Sequence, residues 1–114
     1  MKLNPVLEVE ATIDGVPLAG QIFYISERDP VEILKAHDLT SEIAYARTMN
    51  SLRNFVTRFV ATDSRGKAEI TELRSGTYYI CGIRYTEHEA VVWNVKIELL
   101  PGKNSLILNE VNKT

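Results

Sequence analysis

Residues Leu7 to Ile13 read Leu-Glu-Val-Glu-Ala-Thr-Ile, and this segment constrains the fold more than any other. Leu7, Val9, Ala11 and Ile13 alternate strictly with Glu8, Glu10 and Thr12. A period of two marks a strand with one face on a core and the other in water. Asp14-Gly15 then reads as a turn. Gly20 to Ser26, rich in β-branched and aromatic residues, reads as a second strand.

After Ser26 the period changes. Asp29-Pro30 pairs an N-cap residue with proline at the first helical position, and a short helix through about Ala36 is expected. Thr40 or Ser41 caps a second. Within it Ile43, Ala46, Met49 or Asn50, Leu52 and Val56 recur every three to four residues, an apolar stripe suited to packing on another surface. Strand character returns over Phe55–Thr62, and Asp63-Ser64-Arg65-Gly66 fits a type I turn. Further strands are expected over Lys67–Thr71, Thr77–Thr86, Ala90–Leu100 and Ser105–Leu108, separated by Ser75-Gly76, Glu87-His88-Glu89 and Pro101-Gly102. The sum is an all-β, seven-stranded Greek-key sandwich with a helical insertion, about residues 29–54, between strands two and three.

The 114 residues fit one domain spanning 1–114, and 45% apolar content supplies a real core. The 13 basic residues are scattered among 15 acidic ones for a net charge of −2, which argues against a phosphate-tracking, nucleic-acid-binding surface. No apolar run is long enough to insert through a bilayer. Cys81 is the single cysteine, so no disulfide forms within the chain. Met1-Lys2-Leu3-Asn4-Pro5 has no signal-peptide character. Two locations follow as expectations: cytoplasmic for a free-standing chain, extracytoplasmic for a piece of a longer secreted one.

Thr62-Asp63-Ser64-Arg65-Gly66-Lys67-Ala68, followed by Leu73-Arg74-Ser75-Gly76-Thr77-Tyr78-Tyr79-Ile80, resembles the carboxypeptidase regulatory-like domains, which share a transthyretin-like, Ig-like sandwich. Val16-Pro17-Leu18-Ala19-Gly20-Gln21-Ile22 is similar to the family's approach to its second strand. Val92-Trp93-Asn94-Val95 and Leu100-Pro101-Gly102-Lys103-Asn104-Ser105-Leu106 are similar to its closing strands. About residues 27–54 depart from the family's short loop. The resemblance implies a non-catalytic appendage, often part of a bacterial envelope or secreted protein. On the same segments Gly20, Asp63, Gly66, Leu73, Gly76 and Tyr78 are structural candidates, with Tyr78 a tyrosine corner.

No catalytic residue, metal ligand or cofactor is assigned. His37 and His88 are the only histidines, and a zinc site needs three or four convergent ligands. Both read better as solvated residues, one at a helix end and one in a turn. Cys81 lies inside a strand and reads as a small buried hydrophobe rather than a nucleophile. Nucleophile-elbow and phosphate-loop patterns are absent. Asp63 and Ser64 offer too few ligands for a calcium loop.

The aromatic residues carry the binding expectation. Tyr79 and Tyr85 share one strand face, and with Tyr45 and Trp93 they could stack on a sugar or grip a peptide. The competing expectation places these rings in the core or under the insertion. The leading reading is therefore a non-catalytic interaction or spacer module with a protein or glycan partner. The insertion is expected to bind that partner or to mediate self-association. The alternatives are a carbohydrate-binding module and, behind it, a small transthyretin-like hydrolase, against which the low histidine content argues.

Overall fold

The computed structural model describes residues 4–29, 56–87 and 89–113, with the backbone alone for Val56 and Thr57. Their strands are β1 (Val6–Ile13), β2 (Val16–Pro17), β3 (Ile22–Ser26), β4 (Val56–Ala61), β5 (Lys67–Ile70), β6 (Gly76–Tyr85), β7 (Ala90–Leu99) and β8 (Lys103–Leu108). No helix occurs among the described residues.

The first sheet is built on β1. Strand β5 pairs with it antiparallel, Leu7 opposite Ile70 and Glu10 opposite Lys67. Strand β8 pairs parallel, Val6 opposite Lys103 and Ala11 opposite Leu108. Strand β2 follows β5 along the same edge. The Ala11 N–H donates to the Gly66 carbonyl at 2.8 Å, and the Ala11 carbonyl accepts from the Leu18 N–H at 2.9 Å. Both groups of one strand residue point to the same side. The second sheet is antiparallel throughout, in the order β4-β3-β6-β7.

The alternation of β1 does what its period dictates. Leu7, Val9 and Ala11 are buried, while Glu8, Glu10 and Thr12 are half-buried on the other side. From the first sheet Leu7, Val9, Ala11, Ile70 and Leu108 meet Phe23, Ile25, Tyr78, Ile80, Trp93 and Leu99 of the second in one cluster, which makes the molecule a β-sandwich. Arg58 sits on the inner side of the edge strand β4 and donates from Nη1 to the Thr71 carbonyl at 2.7 Å, tying the two sheets at their rim.

The crossing from β2 to β3 is held by one hydroxyl. Thr62, almost fully buried, donates from Oγ1 to the Leu18 carbonyl and accepts there from the Gln21 N–H at 2.8 Å. Its own N–H donates to the Gln21 carbonyl at 3.0 Å, and its carbonyl accepts from the Gly20 N–H at 3.0 Å. Asp63 then accepts at Oδ1 from the N–H groups of Arg65 (2.8 Å) and Lys67 (3.0 Å). Those bonds hold its carboxyl below the usual range. The turn closes on Gly66, at φ +74, where an added Cβ would lie 2.7 Å from the Ala11 carbonyl oxygen. Neither that angle nor that approach suits a side chain. Leu73 is buried, and the Tyr78 hydroxyl donates to the Arg74 carbonyl at 2.9 Å, the arrangement of a tyrosine corner.

Three differences from the sequence reading have physical causes. Among the described residues eight strands are present rather than seven, because Val16–Pro17 forms a two-residue ladder with Thr12–Ile13 beyond the Asp14-Gly15 turn. Residues this close to a turn carry no periodicity of their own. The second strand begins at Ile22 rather than Gly20, since Gly20 at φ +66 belongs to the crossing loop. The last strand begins at Lys103 rather than Ser105. There Asn104 donates from Nδ2 to the carbonyls of Leu100 (2.9 Å) and Gly102 (3.1 Å), so the turn is shorter than its residue types suggest. The helical insertion expected over about 29–54 lies, apart from Asp29, outside the described residues.

Candidate functional site

The sandwich has two outer faces, and they differ. On the first sheet Glu8, Glu10, Lys67, Glu69, Ser105 and Ile107 form the floor and sides of an open groove of about 460 Å³ across β5, β1 and β8. Cross-strand register sets its electrostatics. Glu10 lies opposite Lys67, a favourable pair, whereas Glu8 lies opposite Glu69, an unfavourable one. Lys103 answers the second by approaching Glu8 Oε1 at 3.3 Å. Both side chains of that pair are exposed, so it contributes little to stability.

The outer face of the second sheet carries Ile22, Tyr24 and Ser26 of β3, Phe59 of β4, Tyr79, Cys81, Ile83 and Tyr85 of β6, and Val92 and Asn94 of β7. Its centre is buried: Tyr24 is 2% exposed, Cys81 1% and Ile83 6%. Its β4 side is open, with Ile22 at 52% and Phe59 at 42%. The rings of Tyr24 and Phe59 lie 6.0 Å apart and tilted by 47°, a favourable aromatic contact.

A polar chain crosses this face. Cys81 Sγ donates to Asn94 Oδ1 at 3.2 Å, and Asn94 Nδ2 donates to Asp29 Oδ1 at 3.1 Å. Burial pushes the Cys81 thiol up to about 12. A hydrogen bond with Tyr24 acts the other way, and the Asp29 carboxylate adds to the rise. A thiol so displaced stays protonated at neutral pH and is a poor nucleophile.

The four aromatic binding candidates do not assemble. Trp93 is fully buried between the sheets, and its indole Nε1–H donates to the Asn109 carbonyl at 2.8 Å. It offers no ring face to a ligand, which corrects the expectation that it joins a platform. Its place on the apolar side of β7, between Val91 and Val95, is the signal that identifies it as core. Tyr79 and Tyr85 are half-buried on the same outer face, as their spacing requires, but six residues of strand put them about 20 Å apart, too far to hold one sugar ring together. Tyr45, His37 and His88 lie outside the described residues. Among the described residues no group of three or more His, Cys, Asp or Glu is placed to hold a metal ion. The groups the sequence reading passed over are Thr62, Asn104 and the Asp29–Asn94–Cys81 chain. Only the last had a visible cue, a polar Asn94 beside two long apolar strands.

No protein-family model matches this sequence, and no curated protein matches it either. Solved structures do match its fold. The minor pilin GBS52 of Streptococcus agalactiae aligns with a TM-score of 0.59 at 17% identity, over 96% of this chain and 44% of that one. A Pseudomonas aeruginosa protein, provisionally described as carbohydrate binding, aligns with a TM-score of 0.57 at 10% identity, over 96% of this chain and 90% of its own. The major pilin subunit of Bacillus cereus aligns with a TM-score of 0.54 at 9% identity, over 98% of this chain and 30% of that one. The chain thus spans less than half of either pilin. At these identities the likeness is one of fold.

Proposed function

We propose that this chain is a non-catalytic interaction or spacer module of a larger surface-exposed protein. The observation that carries the reading is the size relation: nearly the whole chain superposes on a minority of each pilin. The rigid two-sheet core supports the same role, since it holds its loops and the open groove of the first sheet in fixed relation. The buried and protonated Cys81 fits a structural residue better than a nucleophile. The motifs from Thr62 to Ile80, with their Asp63 turn and Tyr78 corner, favour a carboxypeptidase regulatory-like affiliation within that role. In this proposal, partner recognition or self-association is assigned to about residues 29–54, as the sequence reading expects.

The test is an immunoblot of fractionated source cells. A band much larger than 12.9 kDa in the envelope or medium is expected. A band near 12.9 kDa in the soluble cytoplasmic fraction would sink the reading.

A second reading, carbohydrate binding, is favoured by the Pseudomonas aeruginosa neighbour and by the half-exposed rings of Tyr79 and Tyr85. It now rests on those rings singly. Glycan-array binding that Tyr79→Ala or Tyr85→Ala removes, with thermal stability kept, supports it. Silence of the wild-type chain across the array ends it.

A further inference from the structure

The edges of a sheet, unlike its faces, present backbone groups. An edge strand is a template for another chain unless it is short, kinked, covered or charged. Three edges of this sandwich are blunted. Strand β5 is only 4 residues long. Strand β4 meets β3 through a register shift at Ile25/Ser26, and its Arg58 is drawn to the Thr71 carbonyl beyond β5. On β8 the Ile107 carbonyl accepts from Asn112 Nδ2 at 2.6 Å.

The fourth edge is β7. It is 10 residues long, and its pairing with β6 runs unbroken from Gly76 opposite Leu99 to Tyr85 opposite Ala90. The Thr86 N–H donates to the Glu89 carbonyl, which fixes the phase of the ladder. Bonded and non-bonded positions alternate in an antiparallel pair. Val91, Trp93, Val95, Ile97 and Leu99 therefore bond to β6, while Ala90, Val92, Asn94, Lys96 and Glu98 aim their N–H and C=O groups outward. Among the described residues no hydrogen bond reaches those outward groups. The core is also least covered on this side. Val95 and Ile97 of β7, with Leu106 of β8, pack on the core yet stay only partly buried.

We propose that β7 pairs antiparallel with β7 of a second copy of this chain, about a twofold axis at Asn94, so that the two four-stranded sheets become one. The match of the strand to itself selects both the occupant and the register. With Asn94 on the axis, Lys96 lies opposite the partner's Val92 and Glu98 opposite the partner's Ala90. Every outward residue of β7 then bonds across the axis, and no like charges face each other. On the inner side Val95 meets the partner's Trp93 and Ile97 meets the partner's Val91, which covers the apolar rim. Other axes do worse. One at Val95 sets Ala90 opposite the partner's Leu100, and the N–H and C=O of Leu100 are already held by Asn104. One at Lys96 sets the two lysines against each other. One at Ile97 pairs Lys96 with the partner's Glu98 but leaves only those two residues of each strand in the ladder. The exposed ion pairs gained there are worth less than the backbone bonds lost. This contact surface is separate from the stretch that the functional reading assigns to recognition, and it does not depend on that reading.

The test is sedimentation velocity of the intact chain over a concentration series. A species of twice 12.9 kDa should grow with concentration. Lys96→Pro removes one outward N–H and no bond to β6, so it should stay folded by circular dichroism and become monomeric. Ser105→Pro is the matching change on β8, where the bond from the Val6 N–H to the Gly102 carbonyl sets the Ser105 N–H outward. It should dimerise like the wild type. A wild type that is monomeric at its highest soluble concentration overturns the proposal. So does a folded Lys96→Pro chain that still dimerises, or a folded Ser105→Pro chain that does not. Where a proline variant fails to fold, cross-linking decides. In a Cys81→Ala background, Asn94→Cys should oxidise to a disulfide-linked dimer, because facing residues of a bonded pair have Cα atoms about 5.5 Å apart. Lys96→Cys, displaced from the axis, should not. Any other pattern overturns the proposal.

Discussion

The two outer faces of this sandwich come from strands of similar length in one chain, yet one is wet and charged and the other dry at its centre. The difference is written in the period of the strands. In β1 every second residue is polar, and Glu8, Glu10 and Thr12 end up at the surface. In β3 four apolar residues run together, Ile22-Phe23-Tyr24-Ile25, and β6 carries Tyr79-Ile80-Cys81. An unbroken apolar run is the pattern of a strand buried on both sides. A sheet can thus be half-wet along one strand and two-sided along another, and the local pattern says which.

Substitutions that probe the layers in turn give the largest expected effects. Trp93→Ala removes the ring that fills the space between the sheets and leaves the Asn109 carbonyl without its donor. It should cost about 3–5 kcal/mol. Ile83→Ala, on the dry outer face, should cost about 2–5 kcal/mol. Glu10→Ala, on the wet face, should stay within about 0.5 kcal/mol. Urea unfolding with a common slope measures all three. If Ile83→Ala proves as mild as Glu10→Ala, the two faces are alike in energy and the comparison fails.

The thiol sharpens the contrast further. Folded Cys81 keeps its proton to about 12, whereas in the unfolded chain it titrates near 9.0. Between those values the unfolded state binds fewer protons, so stability falls as pH rises; below the lower value there is no effect. From pH 8 to pH 10 the chain should lose about 1.4 kcal/mol more than Cys81→Ala does. Equal losses in both proteins would mean that the thiol is not held dry.

This also shows what the sequence made legible. Alternation placed the inner residues of β1, and turn chemistry placed Asp63, Gly66 and Tyr78, because each of those roles depends on a few neighbouring residues. The crossing at Thr62 was not legible, since its hydroxyl serves Leu18 and Gln21, more than forty positions away. Trp93 misled as a binding residue because an aromatic ring suits a core and a platform equally, and only its register on β7 separates them. The Cys81–Asn94–Asp29 chain needed the pairing of β6 with β7 before it could be seen at all.

Smaller effects concern how the sheets are fastened at their ends. Tyr78→Phe keeps the ring in the core and deletes only the bond to the Arg74 carbonyl. It should cost about 1 kcal/mol, the net value of one hydrogen bond. A cost near that of Trp93→Ala would mean that the corner positions the whole strand.

The smallest expected effect is at Asp63, where the sign with pH matters more than the size. Its carboxyl is held below 3.8 in the folded chain by the N–H groups of Lys67 and Arg65. The stabilisation is therefore complete above the unfolded value and is lost as pH falls through the lower, folded one. Asp63→Asn keeps an oxygen for the two N–H donors but has no charge to lose. The variant should be slightly less stable than the wild type at neutral pH, and the gap should close in acid below about pH 4. A gap that persists into acid would place the contribution of Asp63 in the shape of the turn rather than in its charge, and would make the wet side of the molecule, like the dry one, a matter of packing.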